Sequence, residues 1–305
     1  MSEPDVYRSP QAVARAISDA AQAAARRSGR PVGQIVRQED YRRFLARVFI
    51  HGDGEARWVL KGGNALLARV PEARTTRDVD LLGRVEDLDD AQRELELLVS
   101  EDLGDHFTFA LSRTKDQGRG DAQPYLVGRR LVFDTRLGTK KRGPISVDLV
   151  VGTQPIGQIR SRKPQDILGL SKLPNAVYQL YPIEDHIADK VCAMLESHAG
   201  GMPSSREKDL VDLVIMALVD DGWAIEAGSL RQALRIESRR RKLDLPDRLV
   251  APSSWGSGYA SQVKQTAAQG FATVEAAMGL MRDFLDPVMA GVAAGRWDPR
   301  SRRWG

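Results

Sequence analysis

A glycine pair between a short apolar strand and a helix is the feature that most limits how this chain folds. The segment RWVLKGGNALLARV places Gly62 and Gly63 after the strand, and a second strand, TRDVDLLG, soon follows the helix. Strands that alternate with helices are typical of a sheet covered by helices. The first half of the sequence therefore predicts an α/β fold.

The glycine pair itself has two interpretations. Glycine lets the backbone turn sharply, and it lets a phosphate approach the backbone N–H groups. A helix that begins after Gly62 and Gly63 adds unpaired N–H donors and a dipole that favours anions. An ordinary tight turn explains the same pair, so the two glycines alone do not establish a phosphate site.

Two aspartates in the second strand strengthen the phosphate interpretation. Asp78 and Asp80 are two residues apart, so the period of a strand points both side chains to the same face. Neighbouring carboxylates repel each other and are costly to desolvate, and a bound divalent cation removes that cost. Mg²⁺ commonly combines one or two carboxylates with substrate phosphates. The pair predicts a magnesium site, with a solvated strand end as the alternative.

A third carboxylate, Asp148, lies in the apolar strand ISVDLVVG. A charge flanked by Val147 and Leu149 needs a partner or a metal ion. Phosphoryl chemistry with two metal ions uses a carboxylate that bridges a metal and receives the proton of the attacking hydroxyl. We therefore predict Asp148 as a third metal ligand, and the alternative is an edge-strand aspartate that faces water.

The character of the sequence changes near residue 160, from strand-rich to mostly helical. Because 305 residues exceed one core of ordinary size, we predict an α/β domain with N-terminal helices over 1–160 and a helical domain over 161–305. In the first part, helices are expected at 10–28, 37–50 and 86–103, strands at 107–112 and 124–136, and a polar loop at 113–123. In the second part, helices are expected at 184–199, 204–221, 228–242 and 260–294.

Two of the later helices carry charged residues beside long apolar faces. Lys190 lies at the edge of an apolar arc, where it can bury its stem and aim its ammonium at a cleft; a lysine that only reaches the surface is the alternative. Arg206, Asp209 and Asp212 fall on one side of the next helix. This row can lock the helix to the first domain, orient Lys190 or contact a nucleotide, and we expect Asp212 to lie nearer the substrate.

The composition excludes several classes of protein. Cys192 is the only cysteine, so no intramolecular disulfide is possible, and a reducing compartment fits. One cysteine and four scattered histidines do not build a common zinc site. The start MSEPDVYRSP has no signal-peptide core, and no apolar run reaches the ~18–20 residues of a membrane span. We expect a soluble, cytoplasmic protein with no membrane partner.

The charge balance is mildly basic. A formal net charge of +4 and an isoelectric point of about 9.2 are compatible with a nucleic-acid partner. The basic run from Arg239 to Lys242 either contacts RNA phosphates or forms a solvated helix face paired with Glu237 and Asp244. No aromatic side chains are interleaved with the run, so recognition of single strands by stacking is not supported.

These motifs, in this order, resemble those of a known family. KGGNAL, RTTRDVDLL, SVDLVV, IADKVCAML and REKDLVDL look like the motifs of the AbiEii-type nucleotidyltransferase toxins, and especially of their mycobacterial MenT branch. The resemblance covers roughly residues 55–220. It implies an α/β (α+β) fold in which a polymerase-β-like nucleotidyltransferase lobe with a mixed sheet precedes a mainly helical C-terminal lobe that completes the cleft.

By position, the resemblance assigns Asp78 and Asp80 to metal binding and makes Lys190 and Asp212 essential residues. Asp148 completes the predicted metal ligands and the predicted catalytic set. The predicted nucleotide-binding residues are Lys61, Gly62, Gly63, Asn64, Arg77, Lys190, Arg206 and Asp209. The implied cofactor is Mg²⁺, with Mn²⁺ as a substitute.

Members of the family are toxins of toxin–antitoxin pairs, and MenT members transfer nucleotides to the 3′ end of tRNA. The resemblance therefore implies an NTP substrate, a tRNA or other RNA acceptor whose modification blocks translation and growth, and a cognate antitoxin. Transfer to a hydroxyl of a protein or small molecule stays open, as does a non-catalytic nucleotide-binding module. The catalytic motifs act on the nucleotide, so they do not identify the acceptor.

Overall fold

The computed structural model describes residues 7–52, 56–117, 127–196, 206–220, 222 and 224–305. Within these ranges, eight strands form one large mixed sheet, and a small two-stranded sheet lies near the C-terminus. The strands of the large sheet are β1 (Trp58–Lys61), β2 (Asp78–Gly83), β3 (Phe107–Gln117), β4 (Val127–Leu137), β5 (Lys140–Lys141), β6 (Ile145–Val151), β7 (Arg160–Arg162) and β8 (Tyr178–Leu180). The small sheet consists of β9 (Trp297–Asp298) and β10 (Arg303–Trp304).

The helices lie at the N-terminus, between the strands and throughout the second half. In chain order they are α1 (Pro10–Ser28), α2 (Val32–Phe49), α3 (Gly62–Arg69), α4 (Leu88–Ser100), α5 (Ile183–Leu195), α6 (Glu207–Leu218), α7 (Ala227–Arg240), α8 (Gly256–Val263), α9 (Val274–Phe284) and α10 (Asp286–Met289). Over the described ranges, no helix has both the length and the apolar character needed to cross a membrane.

Strand order brings four charged residues onto one face of the sheet. The order is β3-β4-β6-β2-β1-β8-β7, and β5 pairs with β4. β2 and β6 run parallel with Asp80 beside Asp148, whereas β1 is antiparallel to β2 with Lys61 opposite Asp80. Arg130 on β4 stands opposite Asp148. Because residues at one level of a sheet project to the same face, these four side chains from adjacent strands lie together.

Helix α3 lies between two hydrophobic cores. Ala65 and Ala68 belong to the core beneath the sheet, whereas Leu66 and Leu67 belong to the core of the helical half. Apolar burial on both sides stabilises the position of this short helix. The first turn of α3, which contains the glycine pair, is therefore held at the junction of the sheet and the helices.

Most predicted elements are present, but several boundaries differ. α2 begins at Val32 rather than at 37, and α3 begins at Gly62 rather than after the glycines. β3 continues through the predicted loop to Gln117, because its long antiparallel pairing with β4 outweighs the polar composition there; residues 118–126 lie outside the described ranges. The single helix expected over 260–294 is divided into the end of α8, α9 and α10, and Gln265 has a positive φ of 58° at the first interruption.

Two strands follow the point at which the composition changes. β7 and β8 lie beyond residue 160, and β8 pairs with β1 in parallel through Leu60 and Leu180. The sheet therefore draws on sequence from both sides of that point. The division into domains of 1–160 and 161–305 stays a prediction.

Candidate functional site

A cleft of about 960 Å³ opens between the charged face of the sheet and helices α5, α6 and α7. Most of the predicted site residues line this cleft. They are Lys61, Gly62, Gly63, Arg77, Asp78, Asp80, Asp148, Lys190, Arg206 and Asp209. Two predicted residues, Asn64 and Asp212, are not part of the lining.

Asp78, Asp80 and Asp148 bring three carboxylates to the floor of the cleft. Val79 between the first two is buried, whereas Asp78 and Asp80 are partly exposed, as the alternation of a strand requires. Burial first, and then the charge of Asp148, raise the pKa of the Asp80 carboxyl to about 6 against the opposing charges of Lys61 and Lys190. The floor therefore holds negative charge that an added cation would stabilise.

Arg130, which the sequence did not single out, neutralises part of that charge. Its Nε and one terminal nitrogen donate to the two carboxylate oxygens of Asp148, each at 2.7 Å. The same guanidinium lies 3.9 Å from the Asp78 carboxylate. Such a two-point contact is the strong geometry for an arginine–carboxylate pair. Asp148 is therefore held by an arginine rather than turned to water.

The glycine pair is required by the close approach of neighbouring side chains. Gly62 has a φ of 59°, and a Cβ added to it would lie 1.9 Å from Oδ2 of Asp80. A Cβ on Gly63 would lie 2.7 Å from the side chain of Thr76. Only glycine combines this backbone conformation with so little space. The pair thus allows the helix N-terminus to approach the carboxylate floor.

Lys190 is buried, which corrects the expectation of a lysine at the edge of a helix face. Its Nζ donates to Oδ1 of Asp209 at 3.0 Å and to Oδ2 of Asp212 at 2.6 Å. Burial lowers the pKa of the ammonium, but the charges of Asp212 and Asp209 outweigh that effect and raise the pKa above its ordinary value. Lys190 therefore stays charged on the wall of the cleft.

The two aspartates of α6 have different positions. Asp209 lines the cleft, and Arg206 approaches it at 3.6 Å. Asp212 is completely buried, and it accepts a second bond from Arg74 at 2.7 Å. The expectation that Asp212 lies nearer the open cleft is therefore wrong, because the fold turns its carboxylate inward to join Lys190 and Arg74.

Asn64 and Arg77 have different surroundings from those of the cleft floor. Asn64 is buried, and its Nδ2 donates to the main-chain carbonyl of Asp78 at 2.9 Å, so it fixes the start of β2. The Arg77 side chain is exposed at the rim, while its carbonyl accepts a bond from the Tyr41 hydroxyl at 2.5 Å.

The cleft contains a second ionic network, between β1, α5 and α7. Lys61 lies 3.4 Å from the Asp189 carboxylate and 4.2 Å from the centre of the Tyr181 ring. Asp189 also lies 3.7 Å from Arg241, whose Nε donates to Glu237 at 2.6 Å. Lys61 therefore belongs to the lining of the cleft.

The basic run of α7 is divided by the same network. Arg241 is almost fully buried among carboxylates, and Arg240 approaches Glu237 at 3.6 Å. Arg239 and Lys242 are exposed. Arg240 and Arg241 make the pairing with Glu237 that the solvated-face alternative expects, but Arg241 is buried rather than solvated, and Arg239 and Lys242 are the accessible charges of the run.

Sequence reasoning also missed His186, which is buried in the lining of the cleft. Neither ring nitrogen has a hydrogen-bond partner among the described residues. Burial lowers the pKa of this imidazole well below its ordinary value, and the charges of Lys190 and Arg69 add to the effect. A lone histidine on an apolar helix face has no sequence signal that separates it from a core residue.

The donors at the floor of the cleft fit a hard divalent cation. Asp78 and Asp80 supply oxygen ligands from one face of a strand, and burial, with the charge of Asp148, makes the ionised form of Asp80 costly, as its raised pKa shows. Among the described residues, no group of three or more His, Cys, Asp or Glu side chains is arranged to hold a metal ion. Two carboxylates fit a site that takes its other ligands from a substrate, and the metal role of Asp148 stays a prediction.

Comparison with solved structures supports the fold. MenT4, a nucleotidyltransferase toxin from Mycobacterium tuberculosis H37Rv, is 15% identical with a TM-score of 0.51, and the match covers 89% of this chain and 98% of that one. JHP933 from Helicobacter pylori is 16% identical with a TM-score of 0.44, over 84% of this chain and 93% of that one. No curated protein matches the sequence.

The family model described as the nucleotidyl transferase AbiEii toxin of type IV toxin–antitoxin systems matches residues 43–298. This range contains the glycine pair, all three floor carboxylates, Lys190 and the α6 aspartates. The chain therefore belongs to the AbiEii nucleotidyltransferase toxin family.

Proposed function

We propose that this protein transfers a nucleoside monophosphate from an NTP to the 3′ end of an RNA, with tRNA as the favoured acceptor. The single observation that carries the proposal is the cleft that joins the glycine turn, the floor carboxylates and the buried Lys190. Nucleotidyl transfer needs these groups together, because a triphosphate must be bound, neutralised and aligned in one place.

The cleft suits a triphosphate. Gly62 and Gly63 form the first turn of α3, where backbone N–H groups are available to phosphate oxygens. Lys61, Lys190 and Arg206 add positive charge to the lining. We assign these residues to the triphosphate, with Lys190 held in place by Asp209 and Asp212.

Asp78 and Asp80 would hold Mg²⁺, which when bound supplies positive charge against the triphosphate and the developing pyrophosphate. The acceptor hydroxyl oxygen forms a bond to the α-phosphorus as the bond to the bridging oxygen breaks, and pyrophosphate leaves. We assign the hydroxyl proton to Asp148, whose carboxylate Arg130 orients in the cleft. Asp212 and Arg74 act through Lys190 as positioning residues.

The proposal includes a biological role. Addition of a nucleotide to the 3′ end of tRNA in the cytoplasm would block translation. Expression of the protein would therefore stop cell growth until a cognate antitoxin acts. The mildly basic charge of the chain supports an RNA acceptor.

Incubation of the protein with each α-labelled NTP, Mg²⁺ or Mn²⁺, and either total RNA or a protein extract tests the proposal. We expect label on RNA of tRNA size, and the label should be lost after digestion of the 3′ end. Label on protein or on small molecules alone would show that the acceptor is not RNA. The absence of transfer with every NTP would refute the activity.

Gly62→Ala is expected to reduce transfer about a hundredfold, because displacement of a catalytic group by about 1 Å costs that much. The new methyl group would meet Oδ2 of Asp80 at 1.9 Å and would impose a backbone with φ of 59° on alanine. Labelled-NTP transfer measures the effect. Gly228→Ala in α7 is the matched control, since its methyl group meets nothing within 4 Å; transfer should be unchanged and stability about 0.5–1 kcal/mol higher. Normal transfer by Gly62→Ala would contradict the close contact with Asp80.

Arg130→Gln is expected to tighten Mn²⁺ binding about fivefold, because the guanidinium competes with a cation for the same carboxylates. Free Mn²⁺ can be measured directly by electron paramagnetic resonance, without turnover. Arg129→Gln is the control on the same strand, since Arg129 pairs with Asp89 and Asp116 instead. Unchanged or weaker Mn²⁺ affinity in Arg130→Gln would show that the metal does not share these carboxylates.

A further inference from the structure

A second, smaller cleft adjoins the catalytic one. It has a volume of about 420 Å³ and lies between α2 and the loop that precedes β2. Thr75, Thr76 and Arg77 line both clefts, so only this loop separates them. Because Asp78 follows Arg77 directly, a molecule in the second cleft would lie beside the carboxylate floor.

The lining of the second cleft has the charge of an anion site. Its described residues include Arg37 and Arg77 together with glutamine, threonine and tyrosine side chains, and they include no aspartate or glutamate. The Arg77 guanidinium is exposed and, among the described residues, makes no hydrogen bond or ion pair. A guanidinium presents several donors in one plane, which suits the oxygens of a phosphate.

The Arg37 guanidinium and the backbone of the loop that carries Arg77 are held by the fold. The Arg37 guanidinium lies 4.5 Å from the centre of the Tyr41 ring, and one of its nitrogens donates to the Gly143 carbonyl at 2.7 Å. The Tyr41 hydroxyl donates to the Arg77 carbonyl at 2.5 Å, which ties α2 to the loop before Asp78. Groups that are already ordered lose less conformational freedom when a ligand binds.

Beside α5 and α7, the positive charges that line the catalytic cleft are paired with carboxylates. Its lining there contains Asp189, Glu196 and Glu237. The arginine nearest to them, Arg241, is almost fully buried in ion pairs with all three. An RNA strand with its 3′ end on the carboxylate floor carries a negative charge at each phosphate, and the cations beside α5 and α7 are already engaged by these carboxylates. The second cleft offers an exit lined by cations.

We propose that the second cleft binds the sugar–phosphate backbone of the acceptor RNA, on the 5′ side of the reacting 3′ hydroxyl. Arg37 and Arg77 are its phosphate contacts. This inference rests on the proposed function, and it assigns Arg77 to the binding of the acceptor RNA instead of the nucleotide. It also moves the principal RNA contact away from the basic run of α7.

Binding of a fluorescent single-stranded RNA at several salt concentrations tests the assignment without turnover. Arg37→Gln and Arg77→Gln should each bind RNA about fivefold more weakly, and each should lower the log–log salt slope by about 0.7. Arg37→Lys keeps the charge and should keep the slope. Arg239→Gln, which removes an exposed charge of α7, should bind RNA as the wild type does. The NTP affinity of Arg37→Gln should be unchanged, and thermal melting confirms that each variant is folded.

The outcomes separate this inference from the function on which it rests. If the wild type transfers nucleotide to RNA and both glutamine variants keep its RNA affinity and salt slope, the assignment of RNA to the second cleft is overturned and the proposed function stands. A loss of NTP affinity without a loss of RNA affinity in Arg77→Gln would return Arg77 to the nucleotide site and also overturn the inference. Wild-type transfer only to protein or small molecules would refute the function and, with it, the RNA assignment.

Discussion

Asp80→Asn is expected to reduce nucleotide transfer by about a thousandfold or more and, at the same time, to stabilise the folded protein. A thousandfold reduction corresponds to an activation barrier that is about 4 kcal/mol higher, as expected when one carboxylate ligand is removed from the site of the developing charge. The asparagine has the same shape, so it fits the narrow space beside Gly62. Loss of activity without loss of structure is therefore the expected combination.

The gain in stability follows from the pKa of Asp80, which is raised from 3.8 to about 6. A carboxyl whose pKa is higher in the folded than in the unfolded state destabilises the folded protein once it ionises. The wild type should therefore lose stability as the pH rises from about 4 to about 6, and the variant should lose less. At neutral pH we expect a gain of about 1–2 kcal/mol, since one pKa unit corresponds to about 1.4 kcal/mol and the carboxyl is partly exposed.

Chemical denaturation at several pH values, beside labelled-NTP transfer, measures both effects. Asp134→Asn is a suitable control, because Asp134 is exposed on strand β4 of the same sheet and does not line the cleft. The control should change neither quantity. Near-normal transfer by Asp80→Asn would show that Asp80 is not a catalytic residue. A destabilised variant would show that the folded protein already compensates the charge of Asp80.

Lys190→Met should both abolish transfer and destabilise the protein, in contrast to a substitution on a helix surface. The ammonium lies between two buried carboxylates, and removal of one partner from a buried ion pair costs several kcal/mol. Arg74 still pairs with Asp212, and Arg206 still lies near Asp209, so we expect a loss of about 2–4 kcal/mol. Transfer per folded molecule should fall about a hundredfold or more.

The double variant Lys190→Met/Asp209→Asn separates the two effects. It removes the carboxylate that depends most on Lys190 and leaves the Arg74–Asp212 pair in place. Stability should recover in part, while transfer should stay low. Recovery of transfer in the double variant would show that Lys190 acts only by stabilising the fold, and full stability of the single variant would contradict the buried geometry.

Local sequence patterns predicted the parts of the site that depend on neighbours along the chain. The spacing of Asp78 and Asp80 placed both on one face, because the side chains of a strand alternate. The glycine pair indicated a sharp turn into a helix, and Gly62 takes a positive φ there. The motif order also identified the family, because it records these local requirements together.

Several features of the site had no local signal. Arg130 is one of 45 lysines and arginines and lies in none of the motifs, and Arg74 begins RTTRDVDLL without a feature that marks it as the partner of Asp212. Arg130 meets Asp148 only because β4 pairs with β6 in a register that brings the two to one level. The exposed appearance of the α7 basic run was likewise misleading, since docking of α5 against α7 buries Arg241.

The sequence by itself determined which residues alternate, which segments form most of the helices and which carboxylates share a strand face, because these properties depend on contacts a few residues apart. Only the tertiary structure decided how the charges are partnered. The Arg74–Asp212 contact joins residues separated by 138 positions, and the parallel pairing of β2 and β6 brings Asp148 beside Asp80. Such pairs depend on the docking of helices and on strand register, which the whole hydrophobic core fixes and no short segment encodes.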